Sequence, residues 1–164
     1  AKTGGLWAAL LLLIVIPQAL LLVGRIFVAP DPVVGIQDEI GSVPQVMAQA
    51  VLSAGLLGSL TALVASNTPR RAYATAIIIA IFIIPPIIVA LVGNLVSQDS
   101  AQLLVLFSPA DILDGTNAWI YGSIPDNPIV ASLDLPGVVY LAAALVGIAG
   151  ATALTIRRYM TIQI

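Results

Sequence analysis

The 164-residue chain has no histidine and no cysteine, so any chemistry would rest on eight carboxylates and a few hydroxyls. The acids are Asp31, Asp38, Glu39, Asp99, Asp111, Asp114, Asp126 and Asp134, and all fall in two stretches that read as loops. Lacking histidine, the chain has neither the usual general base nor the commonest metal and porphyrin ligand. Ligation of a porphyrin through a backbone carbonyl, an Asn or a water stays open. Lacking cysteine, it has no disulfide, no thiolate chemistry and no sulfur-bound metal. Serine–histidine and HExxH chemistry are excluded. No Gly-x-x-x-x-Gly-Lys-Ser/Thr loop is present to cradle a nucleotide. No Asp, Glu or Lys lies inside the long apolar runs, so a proton relay, ion-coupling site or intramembrane aspartyl protease has no carboxylate to use. Ser53, Ser59 and Thr61 are hydroxyls without a neighbouring base, and backbone or interhelical hydrogen bonding is their expected role. An enzyme is not expected, nor a resident cofactor or metal.

The elements that position these residues are membrane spans. The chain is 60% hydrophobic and 9% charged, against about 25% charged in a soluble domain. A net charge of −2 gives no reason to expect a nucleic-acid partner. About four spans are expected, at 6–28, 45–66, 72–96 and 135–156, giving an all-α, polytopic transmembrane bundle in one domain. The first is too long for the apolar core of a secretory signal, and Arg25 near its far end reads as a snorkelling anchor. Lys2 and the pairs Arg70–Arg71 and Arg157–Arg158 fall on one side of the membrane and the acids on the other. Short basic loops stay in the cytoplasm. The arginine pairs are therefore the topology anchors, and both termini are expected in the cytoplasm of a cell whose inner or plasma membrane holds the protein.

Between the spans, residues 29–44 are punctuated by Pro and Gly, and no long element is expected there. Residues 101–113, AQLLVLFSPADIL, are apolar but too short to cross, which suggests a re-entrant or interfacial segment. Pro109 breaks it, with either Ser108 or Asp111 as the cap of the second half. The stretch SIPDNPIVASLDLP reads as turns. Pro85 and Pro86, near the middle of the third span, remove two backbone donors and predict a kink. Small residues recur every fourth position at Ala54, Gly58 and Ala62, and again at Ala143, Gly147 and Ala151. That spacing lets a neighbouring backbone approach closely, so these six are expected helix-packing positions. Leu56 lies off the first strip.

The run LGSLTALVASNTPRRAYATAIIIAIFIIPPI resembles the fourth and fifth spans of bacterial ABC type-2 exporter permeases, with their short cytoplasmic arginine turn. LLVLFSPADILDGTNAWIYG resembles the short re-entrant segments that follow, and LPGVVYLAAALVGIAGATALTIRRYMTI resembles the final span and basic tail. The resemblance covers most of the chain from Gln45 onward, with residues 6–28 fitting as the third span.

It implies the membrane half of an ATP-driven exporter. A second permease unit would complete the path, nucleotide-binding ATPase subunits would dock from the cytoplasm, and lipids would surround it. The family's first two spans have no counterpart in this sequence. It is then part of a longer permease or a shortened relative. The alternative is a small accessory subunit, without enzymatic function, in a larger respiratory or photosynthetic membrane complex.

Overall fold

The computed structural model describes residue 16 and residues 32–162, with side chains at 16 and at 41–160. The expected first span, 6–28, with Arg25, lies outside the described residues apart from Ile16. Six helices follow in order: α1 (Pro32–Asn67), α2 (Arg71–Leu95), α3 (Gln98–Val105), α4 (Pro109–Tyr121), α5 (Pro128–Ser132) and α6 (Gly137–Ile162). Among the described residues there is no strand. Three of the helices are long and apolar enough to cross a membrane: Gly41–Asn67 of α1, all of α2, and Gly137–Met160 of α6. The protein is thus a membrane-embedded, all-α polytopic bundle. At 1.5 Å per residue, the 25 residues of α2 reach about 37 Å, more than the roughly 30 Å of hydrocarbon.

From Pro32 onward, the loop expected at 29–44 is instead the first part of α1. Pro32 occupies the opening position, where a missing N–H costs nothing. Val33, Ile36, Ile40, Val43 and Met47 recur at three- and four-residue spacing, a helical period. That period overrides Pro44, which sits inside the helix and deprives the carbonyl of Ile40 of its donor. At the other end of the chain α6 runs six residues past the expected limit, because 157–162 contain no Gly or Pro to stop it. Arg157 and Arg158 therefore stand on a helix, both exposed.

The chain divides within α1 into two compact units, Ala1–Gly55 and Leu56–Ile164. In the first, Ala50 and Ala54 are buried. The second has two apolar clusters. One joins Val89 of α2, Ala101 and Val105 of α3, Val130 of α5, Leu133 at the end of α5, and Tyr140 of α6. The other joins Leu56 of α1, Ile112 of α4 and Ala144 of α6, with Ala143 packed against it. Leu56, off the small-residue strip, is thus a core residue, 2% exposed.

Several junctions in the second unit close their own backbone. Thr68 donates to the Val64 carbonyl at 2.8 Å and Asn67 Nδ2 to the Leu63 carbonyl at 2.9 Å, where α1 ends. Ser97 caps α3, Ser108 caps α4 and Asn127 caps α5, each accepting from a backbone N–H in the first turn. Pro109 and Pro128 open their helices where no N–H is needed. Gly122, at φ 62°, ends α4 in the left-handed conformation, its N–H on the Ala118 and Trp119 carbonyls. Such closure matters near a bilayer, where no bulk water satisfies an open backbone group.

Helices α4 and α6 meet through two glycines, each facing an aromatic residue of the other helix. A β-carbon on Gly115 of α4 would lie 2.6 Å from Tyr140 Cγ, and one on Gly137 of α6 would overlap Trp119 Cβ and Cγ. Neither neighbour is the far end of a flexible chain, so neither can move aside at small cost. Replacing Gly115 or Gly137 by Ala is expected to destabilise the fold by about 1–3 kcal/mol, as overpacking does. Gly150→Ala, in open space, should be neutral or slightly stabilising. Thermal unfolding in mild detergent measures this, and equal melting of all three variants would refute the contact.

Candidate functional site: a polar junction

Between the ends of α2 and α6, α3, α4 and α5 fold back against the spans rather than projecting away: α4 packs on α6 and α2, and α3 packs on α2. The polar centre of this layer lies at the start of α4. Ser108 is fully buried, and its hydroxyl accepts from the Asp111 N–H at 3.5 Å. Of the two caps open from sequence, Ser108 takes the role. Asp111 stands in the first turn, where the helix dipole favours a negative charge. It is 2% exposed, and its Oδ1 accepts from Asn127 Nδ2 at 2.9 Å. One turn on, Asp114 accepts the backbone N–H of Asp126 at 3.1 Å on one oxygen and that of Asn127 at 3.0 Å on the other. Asn127 Oδ1 in turn accepts from the Ile129 N–H at 3.0 Å. Two carboxylates on adjacent turns of α4 therefore pin the loop that leads into α5.

A second tie holds α3. Gln102 Nε2 donates to the Leu133 carbonyl at 2.9 Å, immediately before Asp134, whose φ of 49° places it in the left-handed region. Asp accepts that conformation more readily than most residues. Beside the junction is a cleft of ≈ 290 Å³ whose walls include Trp119, Val130, Leu135 and Tyr140; its ionisable side chains are Asp134 and Tyr140. Among the described residues no group of three or more acids stands ready to hold a metal. The arrangement orders backbone; it contains no nucleophile–base pair.

The residues singled out in the sequence fall elsewhere. Arg70 precedes α2, exposed, with its guanidinium 6.0 Å above the Tyr73 ring, and Arg71 opens the helix. Pro85 and Pro86 lie within an unbroken α2, leaving the carbonyls of Ile81 and Phe82 without their usual donors. Gly58 is buried and Ala62 half-buried on α1; Ala151 is buried on α6. A β-carbon on Gly147 would lie 3.1 Å from Leu56 Cδ1, so a leucine side chain occupies the space this small residue leaves. Ser59 donates to its own helix at the Leu56 carbonyl, 3.1 Å away.

Asp114, named only among the acids, carries this junction with Gly115, Asn127, Gly137 and Tyr140, which the sequence did not mark. A signal for α5 was present in Asn127–Pro128, which repeats the cap-then-proline order of Ser108–Pro109. The chain matches no family model, no curated protein and no solved structure.

Asp114→Ala should free the 126–127 segment. Loss of two bonds to a carboxylate at a partly exposed site costs about 1–2 kcal/mol, so amide exchange at Asp126 and Asn127 should accelerate roughly tenfold or more. Asp126→Ala, exposed and contributing only its backbone N–H to the pair, should leave exchange at Asn127 unchanged. Hydrogen exchange read by mass spectrometry separates the two.

Proposed function

We propose that this chain is the membrane-spanning permease part of an ATP-driven exporter of the ABC type-2 kind, in an inner or plasma membrane. The observation that carries the reading is the order of elements around α2. An apolar helix ends in a three-residue turn, Thr68 to Arg70, and Arg71 opens the next apolar helix. Three short capped helices then fold back on it before a last apolar helix that carries Arg157 and Arg158 near its end. That order parallels the resemblance in the wording of the joints, and the absence of any Asp, Glu, Lys or Arg between Ala72 and Val96 suits a path for lipid-like, drug-like or polymeric cargo better than one for ions.

In this reading the 67–71 turn and both termini lie in the cytoplasm, because short basic segments are retained there. The α3–α5 layer lies on the opposite face, as an outer lid over the span ends. A second permease unit faces this one, and ATPase subunits bind from the cytoplasm. Closure of the ATPases displaces the 67–71 turn together with α1 and α2, and the paired prolines localise the bend of α2, where two backbone hydrogen bonds are already missing.

Topology is tested with single cysteines, since the chain has none of its own. An impermeant maleimide applied to intact cells should label position 126 and leave position 67 unlabelled; the reverse pattern would overturn the orientation. Function is tested by mass spectrometry of the mildly solubilised complex, where an ATPase subunit is expected. Recovery with redox or pigment subunits instead would favour the accessory role and sink the exporter. In liposomes with its ATPase, the variant Pro85→Ala/Pro86→Ala should insert normally yet transport less substrate per ATP hydrolysed. Equal coupling in the double variant would eliminate the hinge.

A further inference from the structure

The α4–α6 contact holds two buried polar atoms with no protein partner: Asp111 Oδ2 and Tyr140 Oη. Both residues are 2% exposed. One is an acceptor and the other a hydroxyl that can donate. They belong to facing helices, and geometry brings them into the same region. The Tyr140 ring lies flat enough against α4 that its Cγ would clash with a β-carbon on Gly115. Asp111 is four residues before Gly115, one turn along the same face of α4. Asp114 is already engaged through both oxygens, whereas Asp111 has one oxygen engaged, by Asn127.

We propose that one buried water bridges Asp111 Oδ2 and Tyr140 Oη and is a fixed part of the α4–α6 junction. Leaving a buried carboxylate oxygen and a buried phenol both unbonded costs far more than immobilising a water. Buried waters in proteins occupy such places, polar and with two to four partners. The water accepts from the tyrosine hydroxyl and donates to the carboxylate, which leaves it one further donor for the surrounding backbone. It makes the contact between the outer layer and the last span a polar one, fixed in direction, at a point where α4 and α6 otherwise meet through an aromatic ring on a glycine. This inference concerns the fold alone and stands apart from the exporter reading.

Two measurements test it on the purified full chain. The first is a double-mutant cycle on unfolding by SDS in mixed micelles. Tyr140→Phe should raise the unfolding equilibrium constant roughly tenfold in the native background and hardly at all in the Asp111→Ala background, because the bridge is already lost there. The cycle cancels the separate loss of the Asn127 bond. An equal effect of Tyr140→Phe in both backgrounds, or stabilisation in the native one, overturns the proposal. The second measurement separates a water from a direct bond and does not depend on any variant folding: a lipidic-phase crystal structure that resolves ordered waters. A density peak within hydrogen-bond distance of both atoms is expected. A tyrosine hydroxyl donating straight to Asp111, or two atoms bonded to separate partners, rejects it.

Discussion

Much of the second unit depends on the close approach of α4 to α6. Gly115 and Gly137 remove the side chains that would otherwise hold the two helices apart, and Tyr140 and Trp119 fill the space from the opposite side. The reciprocity matters. Each helix supplies one bare stretch of backbone and one ring, so the rotation of α4 on α6 is fixed at two points. With α4 fixed, its first turn is fixed too, and Ser108, Asp111 and Asp114 become a rigid edge. The 126–127 loop hangs on that edge through Asp114, and Asn127 then starts α5. Val130 and Leu133, just beyond, close the cluster over Val89 and Val105. A packing contact thus sets the place of a polar network, and the network sets the place of a second apolar cluster.

The three described apolar helices were legible in the sequence because their signal is local. A run such as AIIIAIFIIPPIIVALV has one reading, and two adjacent prolines do not cancel it. The arginine turn was legible for the same reason. The helix through 32–44 was not, because Pro and Gly are strong local stop signals, and the competing helical spacing of Val33, Ile36 and Ile40 is weak by comparison. Its outcome shows that one proline inside a long helix removes a single bond, while the rest of the ladder persists. The polar junction was invisible for a different reason. Gly115 and Tyr140 are 25 positions apart, and Asp114 and Asn127 are 13 apart. No periodicity links such pairs; only the folded path does. Leu56 teaches the converse. The small-residue strip beside it drew attention to what is missing from the helix surface, whereas the residue that fills the space at Gly147 is the leucine.

The two kinds of surface in this protein ask for different solvents. The α3–α5 layer is mixed, as suits a membrane interface: every helix start has a side-chain cap and its acids are hydrogen-bonded or exposed, while Leu103, Phe107 and Ile124 are largely exposed. Helix α2 is the opposite. Val89 is its one buried residue, while Ile77, Ile79, Ile83, Ile84, Ile87, Ile88 and Leu91 are each about half exposed. Burying a whole side chain of this kind gains about 2 kcal/mol, so these seven half-exposed residues represent on the order of 7 kcal/mol of unrealised burial. That is comparable to the whole net stability of an ordinary domain, about 5–15 kcal/mol. A helix so exposed cannot be at rest in water. In hydrocarbon the deficit disappears, since lipid tails solvate isoleucine as well as another protein does. What then brings α2 to a neighbour is close packing and hydrogen bonding, and the carbonyls of Ile81 and Phe82, released by the prolines, are the part of α2 with most to gain from a polar partner.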